Sequence, residues 1–229
     1  MASKGQKKSL LLVDLDGTLV DSAPDLAAAA NKLLVELGLE PLPLAEVRAM
    51  IGGGIPVLGE RVLKARGVDY GPEFLPAAVA KLRAYYSAAI AVETRPYPGV
   101  RETLESLRKD GWRLAVCTNK PEGLSRQLLE ELQLDGHFEA VAGGDSFPAK
   151  KPDPAHPLGL LELLGGAPAE SVLLGDGTAD ILAARAAGIE EIWFSGGYGG
   201  TGAEALAPRR RIDGFAELKP LLDSLQPGS

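Results

Sequence analysis

The first apolar stretch, residues 9–15 (Ser-Leu-Leu-Leu-Val-Asp-Leu), is short, continuous and closed by Asp16-Gly17. A run of that length ending in a turn signal predicts a buried strand. The pattern then switches to helical spacing. Over residues 24–38, Leu26, Ala29, Ala30, Leu33, Leu34 and Leu37 recur on one face, and Gly38 supplies a stop. Further helices are expected over 44–50, 57–67 and 73–92, so residues 21–92 read as all-helical.

After Thr94 the pattern changes again. Arg95-Pro96-Tyr97-Pro98-Gly99 reads as a stiff linker. Helices and strands then alternate: helix 100–109, strand 112–118, helix 122–132, strand 140–143, helix 155–164, strand 172–176, helix 179–187 and strand 191–194. Such alternation implies a parallel sheet with helices on both faces. The expected fold class is α/β: a doubly wound parallel sheet core built from residues 1–20 and 95–229. An α-helical cap with its linker, residues 21–94, is inserted after the first strand. No internal repeat is visible, and the Gly-rich stretch 196–202 predicts a mobile loop.

Composition narrows the function classes. The 229 residues are 45% hydrophobic and 24% charged, a globular balance in a chain long enough to bury a core without staples. Cys117 is the single cysteine, which rules out an intramolecular disulfide and suits a reducing compartment. The net charge of −7 argues against a nucleic-acid partner. It also repels anionic substrates, so a phosphate site here needs a local cation. The apolar run after basic residues 1–8 is interrupted at once by Asp14, too soon for a signal peptide, and no stretch reaches transmembrane length. The expectation is a cytoplasmic protein without a membrane partner, either monomer or homodimer.

In an open α/β sheet, ligands bind beyond the carboxyl ends of the strands. Strand one ends in Asp14-Leu15-Asp16-Gly17-Thr18, and the second core strand in Cys117-Thr118-Asn119. Lys151-Pro152-Asp153-Pro154 precedes a helix, and the next strand ends in Gly175-Asp176-Gly177-Thr178-Ala179-Asp180. Acidic groups, a hydroxyl and a lysine would converge on one crevice. Asp14 and Asp16, two residues apart on a strand, point the same way. Taken alone, Asp-x-Asp-Gly is equally well a strand-ending turn.

In order, DxDGT after an apolar strand, Thr-Asn at a strand end, KPDP and GDxxxD resemble the motif set of the haloacid dehalogenase-like superfamily, over nearly the whole chain. VDLDGTLVDSAPDL, VCTNKPEGLSRQLLEEL, GGDSFPAKKPDP and ILAARAAG are similar to its phosphoglycolate phosphatase branch. The resemblance implies a Rossmann-like core with a cap. It also implies a Mg²⁺-dependent phosphatase acting on a small phosphorylated metabolite, with 2-phosphoglycolate the best single choice.

In that scheme Asp14 is the carboxylate nucleophile that forms an aspartyl phosphate. Asp16 protonates the leaving oxygen and then deprotonates water. Thr118, with Asn119 beside it, holds phosphoryl oxygens at a strand-to-helix turn. Lys151 binds both Asp14 and phosphate and offsets transition-state charge. Asp14, the Asp16 carbonyl and Asp176 form an oxygen-only metal site suited to Mg²⁺, and Asp180 acts largely through water or through neighbouring groups. Lys150 adjoins Lys151, but the motif places the working lysine immediately before Pro-Asp-Pro. Gly53, in the cap loop Gly52-Gly53-Gly54, is expected to approach the substrate.

Other residues carry less. His137 and His156 are isolated and read as surface or core side chains, and Cys117 as a small buried hydrophobe. Arg48 is within reach of a substrate carboxylate, although a solvated helix charge is the simpler reading. One departure stands out: Gly177 replaces the serine usual after the motif aspartate, removing a hydroxyl that could orient carboxylates. It leaves open a degenerate, non-enzymatic phosphate-binding module. A phosphomutase of the same superfamily is the alternative enzyme. A dehalogenase is disfavoured, because that chemistry uses neither the second aspartate nor the metal.

Overall fold

Strand β1 (Leu10–Val13) is buried along its whole length at the centre of a six-stranded sheet in the computed structural model, which describes residues 9–226. Its neighbours are β4 (Arg113–Cys117) on one side and β6 (Ser171–Gly175) on the other, both parallel to it. β5 (Ala140–Ala142) lies outside β4. β7 (Glu190–Phe194) and β8 (Arg211–Ile212) extend the sheet beyond β6, giving the order β5-β4-β1-β6-β7-β8. The direction of winding reverses at β1, so its carboxyl end opens into the crevice where α/β sheets receive ligands.

Side-chain alternation explains why both faces are covered. Leu11 and Val13 join the core beneath α5 (Val100–Lys109), α6 (Glu122–Glu131) and α10 (Leu218–Ser224). Leu10 and Leu12 pack on the opposite face with Leu160 and Leu161 of α7 (Ala155–Leu164) and Ala183, Ala184 and Ala187 of α8 (Thr178–Ala187). This is the α/β, Rossmann-like doubly wound arrangement that the alternation of elements predicts.

Between β1 and β4 lie α1 (Ala23–Glu36), α2 (Leu44–Arg48), α3 (Ile55–Ala65) and α4 (Phe74–Ala88). Their buried residues follow helical spacing: Leu26, Ala30, Leu33 and Leu34; Ile55, Leu58, Val62 and Leu63; Ala78, Leu82 and Tyr86. α1 and α3 both pack on α4. The two chain segments that enter and leave this helical unit pair as a short antiparallel ribbon, β2 (Val20–Asp21) with β3 (Arg95–Pro96). Asp25, buried in the first turn of α1, accepts from Glu93 N at 3.0 Å, Thr94 N at 2.8 Å and Thr94 Oγ1 at 2.6 Å. Entry and exit are thereby tied to each other.

The structure departs from the sequence reading at the carboxyl-terminal side. Residues 196–202 are not the expected mobile loop. Tyr198 N donates to Asp176 Oδ2 at 2.6 Å, and a short helix, α9 (Gly200–Glu204), begins at Gly200. Two glycines hide α9 from a propensity argument. β8 spans two residues, too few to show a period, and α10 contains Pro220.

Leu12 is fully buried between β1's neighbours and the α7–α8 layer. Leu12→Ala is expected to lower unfolding free energy by about 2–5 kcal/mol, the range for a leucine cavity in a packed core. Urea unfolding followed by circular dichroism measures it.

Candidate active site

The end of β1 delivers the first two carboxylates. Asp14 N donates to Leu174 O at 2.9 Å, which keeps the chain in the sheet as far as the side chain that matters. The chain then turns at Gly17, with φ +86°. A Cβ there would sit 2.7 Å from Asp176 Oδ2, so conformation and close packing both require glycine. Thr18 Oγ1 donates to Asp176 Oδ1 at 2.9 Å, joining the β1 turn to the end of β6.

Lys151 lies at the middle of the charged groups. It is about 2% exposed, and its Nζ is 3.0 Å from Asp14 Oδ1 and 2.5 Å from Asp180 Oδ1. It also donates to the Cys117 carbonyl at the end of β4. Burial pulls this ammonium's pKa down, but the Asp14 and Asp180 carboxylates outweigh it and hold the group charged. The neighbouring Lys150 points elsewhere and donates to Gly53 O in the cap at 2.7 Å.

Asp14, Asp176 and Asp180 bring carboxylate oxygens within 4.8 Å of one another, all buried. Burial pushes Asp14 up to about 6, with the Lys151 charge opposing and the Asp180 charge adding to the rise. Burial, then the charges of Asp14 and Asp180, push Asp176 up to about 8. Asp14 Oδ1 is 3.0 Å from Lys151 yet takes no aligned hydrogen bond. A buried, mutually repelling set of oxygens with an unsatisfied lone pair fits a hard divalent cation. Asp180 is partly committed elsewhere, since Oδ2 accepts from Gly177 N at 3.0 Å and Oδ1 faces Lys151.

Gly177 has φ −102° and ψ 167°, extended backbone open to any residue, and caps α8. An added Cβ would lie 3.4 Å from Asp180 Oδ2, an ordinary contact. The missing hydroxyl therefore leaves the loop's backbone path intact, and Asp180 itself satisfies the first amide.

Thr118 and Asn119 follow β4 into the turn before α6, both buried. Thr118 Oγ1 accepts from Lys120 N at 3.3 Å. Asn119 Nδ2 donates to Gly52 O at 3.0 Å and Lys151 O at 2.9 Å, bridging the cap loop and the lysine loop, while its Oδ1 has no partner. Gly54 has φ +85°, and a Cβ there would meet Asn119 O at 2.6 Å, so the cap loop rests directly on the core. A chamber of about 20 Å³ lies between Asp14, Asp16, Thr118, Asn119 and Lys120 on the core side and Leu26, Ile51, Gly52, Gly54, Ile55 and Leu58 on the cap side. A wider cleft of about 350 Å³ adjoins it, lined by Asp14, Gly53, Lys151, Asp176 and Asp180 among others.

Several contacts around the site, those of Lys120, Tyr198 and Ser22, escape sequence reasoning. Asp16 accepts from Ser22 Oγ at 2.6 Å and from Lys120 Nζ at 2.9 Å. Lys120 directly follows Thr118-Asn119, and its place in a buried strand-end turn was the available signal. Tyr198 donates through Oη to Asp21 at 2.7 Å, accepts from Ser22 N at 2.8 Å and stacks beneath Arg48. Arg48 is paired with Asp21 at 3.1 Å, not free in solvent. His156 is a core side chain: Nε2 lies 3.0 Å from Gly143 O, and burial and Lys151 lower its pKa to about 4. Cys117 is buried, with its thiol pushed up to about 12 by that burial, and His137 is half-buried.

A parallel α/β sheet whose strand ends gather carboxylates and two buried lysines beneath a helical unit forms a candidate catalytic crevice. The family model for haloacid dehalogenase-like hydrolases matches residues 11–194, and the chain belongs to that family. It is 42% identical over 205 residues to a phosphoglycolate phosphatase of Caulobacter vibrioides, covering 90% of this chain and 86% of that one. It is 40% identical over 220 residues to a phosphoglycolate phosphatase of Pseudomonas putida, covering 94% and 80%. The crystal structure of a predicted phosphoglycolate phosphatase from Haemophilus somnus superposes with a TM-score of 0.88 at 32% identity, covering 94% of this chain and 98% of that one. Among the described residues, no helix is long and apolar enough to cross a membrane.

The raised carboxyls set a direction for stability. Their folded pKa values, about 6 and about 8, exceed the unfolded value of 3.8, so the folded protein holds extra protons between them. Stability is therefore full below the unfolded pKa and is lost as pH rises through the folded values. Metal-stripped protein is expected to melt at a higher temperature near pH 5 than near pH 8.5. An added divalent cation should raise the melting temperature more at the higher pH, as differential scanning fluorimetry measures.

Proposed function

We propose that the chain is a phosphoric monoester hydrolase that cleaves 2-phosphoglycolate to glycolate and inorganic phosphate. The names of its relatives support the substrate. The observation that carries the chemistry is the Asp14 carboxylate, set 3.0 Å from a buried Lys151 and open to the chamber. An Asp14 oxygen attacks phosphorus, and the phosphorus–ester oxygen bond breaks. The proton on Asp16 passes to the leaving oxygen, giving the glycolate hydroxyl. The Asp16 carboxylate next takes a proton from water as that water's oxygen attacks the aspartyl phosphate. Phosphate leaves and the Asp14 carboxylate is restored. Lys151 offsets the charge that accumulates on the phosphoryl oxygens.

Asp14, the Asp16 carbonyl and Asp176 would hold Mg²⁺, with Asp180 steadying the arrangement through Lys151 and Gly177. Bound there, the ion would offset the carboxylate charges and polarise a phosphoryl oxygen. Thr118 and the amides of the following turn would receive the remaining phosphoryl oxygens. The chamber beyond the reacting centre is on the scale of one or two water molecules and walled by Leu26, Ile51, Ile55 and Leu58. The names of the relatives, phosphoglycolate phosphatases, favour a hydrolase over a phosphomutase. Gly53, on the wider cleft, is a backbone contact for substrate in this reading.

Asp14→Asn is expected to lower kcat at least about 10³-fold, since the amide lacks the nucleophilic charge. Phosphate release from 2-phosphoglycolate by purified protein measures it, and a loss under tenfold would defeat the assignment. Chelation should abolish activity and Mg²⁺ restore it, with Asp176→Ala needing more Mg²⁺ for half-maximal rate. Gly177→Ser is expected to stabilise the protein by a few tenths of a kcal/mol through the α8 cap. It should also lower the Mg²⁺ concentration needed for half-maximal rate, read from titrations of both proteins at saturating substrate.

A further inference from the structure

Lys120 is a buried cation that the mechanism above leaves without a task. It is about 3% exposed, and its main chain is pinned because Gly144 N donates to Lys120 O at 2.9 Å. Its Nζ reaches both oxygens of Asp16, at 2.9 and 3.2 Å, and donates to Tyr86 Oη at 2.6 Å. It also stands 4.3 Å from the centroid of the Tyr86 ring. The charged and titratable groups around it are Asp16, Asp14, Asp25 and Tyr86. Lys120 and Asp16 belong to the core, whereas Tyr86 is fully buried on the cap helix α4. The cluster therefore spans the boundary between cap and core.

An ammonium has three donors. Here two are directed to Asp16 and one to Tyr86, so none is left to receive a substrate carboxylate. Among the described residues, the Asp16 side chain otherwise accepts only from Ser22 Oγ, a short side chain at the start of the cap segment. Without Lys120 the Asp16 carboxylate would be free to rotate away from the leaving oxygen. Without Tyr86 the flexible lysine stem would lose the contact that directs its end.

We propose that Lys120 is a positioning residue that aims the Asp16 carboxylate at the leaving oxygen, and that Tyr86 makes this aim depend on the cap being seated. The inference rests on the reading of Asp16 as the acid–base group. A positioned acid–base contributes about 10²–10⁴-fold to rate, and misdirecting it forfeits part of that. The contribution belongs to the chemical step, so it appears in kcat and not in substrate affinity.

The test compares 2-phosphoglycolate with ethyl phosphate, an alkyl ester without the carboxylate, at saturating Mg²⁺. Lys120→Met is expected to lower kcat about 10–100-fold on both esters by a similar factor, with KM changed less than about threefold. Lys120→Arg should recover part of the loss, and Tyr86→Phe, which keeps the ring, should lower kcat several-fold. An unchanged kcat in Lys120→Met overturns the proposal. So does a loss confined to 2-phosphoglycolate and expressed in KM, which would make Lys120 a receptor for the substrate carboxylate. Should Lys120→Met fail to fold by circular dichroism, an unchanged kcat in both Lys120→Arg and Tyr86→Phe overturns it. Asp16→Asn separates the levels. If it retains kcat, the acid–base reading itself falls; if it loses kcat while Lys120 and Tyr86 variants do not, only the present inference falls.

Discussion

Lys151 is held within ion-pair distance of two carboxylates, Asp14 just beyond the end of β1 and Asp180 in the first turn of α8, and the rest of the site is arranged around it. A lone buried carboxylate is expensive, and so is a lone buried ammonium. Here each makes the other tolerable: Lys151 bridges Asp14 and Asp180 and bonds the Cys117 carbonyl, so β1, β4 and α8 meet at one charge. The compensation is incomplete. Asp176 stands apart from the lysine, bonded to Thr18 Oγ1 and to the amides of Tyr198 and Gly199, and its proton affinity is raised. Three carboxylates against one lysine leave two negative charges unbalanced, a deficit that suits a divalent cation.

Beside the apolar cluster that runs through both, several polar contacts join the cap to the core close to the site. Asn119 and Lys150 hold the carbonyls of Gly52 and Gly53. Arg48 and Tyr198 meet at Asp21, on the ribbon where the chain enters the cap. Tyr86 reaches Lys120 and through it Asp16. The chamber lies between the two, walled on the cap side by Leu26, Ile51, Ile55 and Leu58 and open to the wider cleft beside it.

Much of this was legible in the residues. Periodicity shows the buried first strand, the helical insertion and the alternating core, because strands covered on both faces and amphipathic helices write their burial into composition. Spacing at the strand ends singles out Asp14, Asp16, Thr118, Lys151, Asp176 and Asp180, and the fold brings these groups to one crevice, since topology sends every strand's carboxyl end to the same side. The tertiary structure decided what depends on distant segments. It turned the glycine-rich stretch 196–202 into a fixed cover over Asp176, paired Arg48 with Asp21, and gave Lys120 to Asp16 and Tyr86. Local pattern reports whether a residue is buried and in what element. The partner of a buried charge can lie more than a hundred residues away, as for Lys120 and Asp16 or Lys151 and Asp14, and only the folded chain specifies which charge meets which.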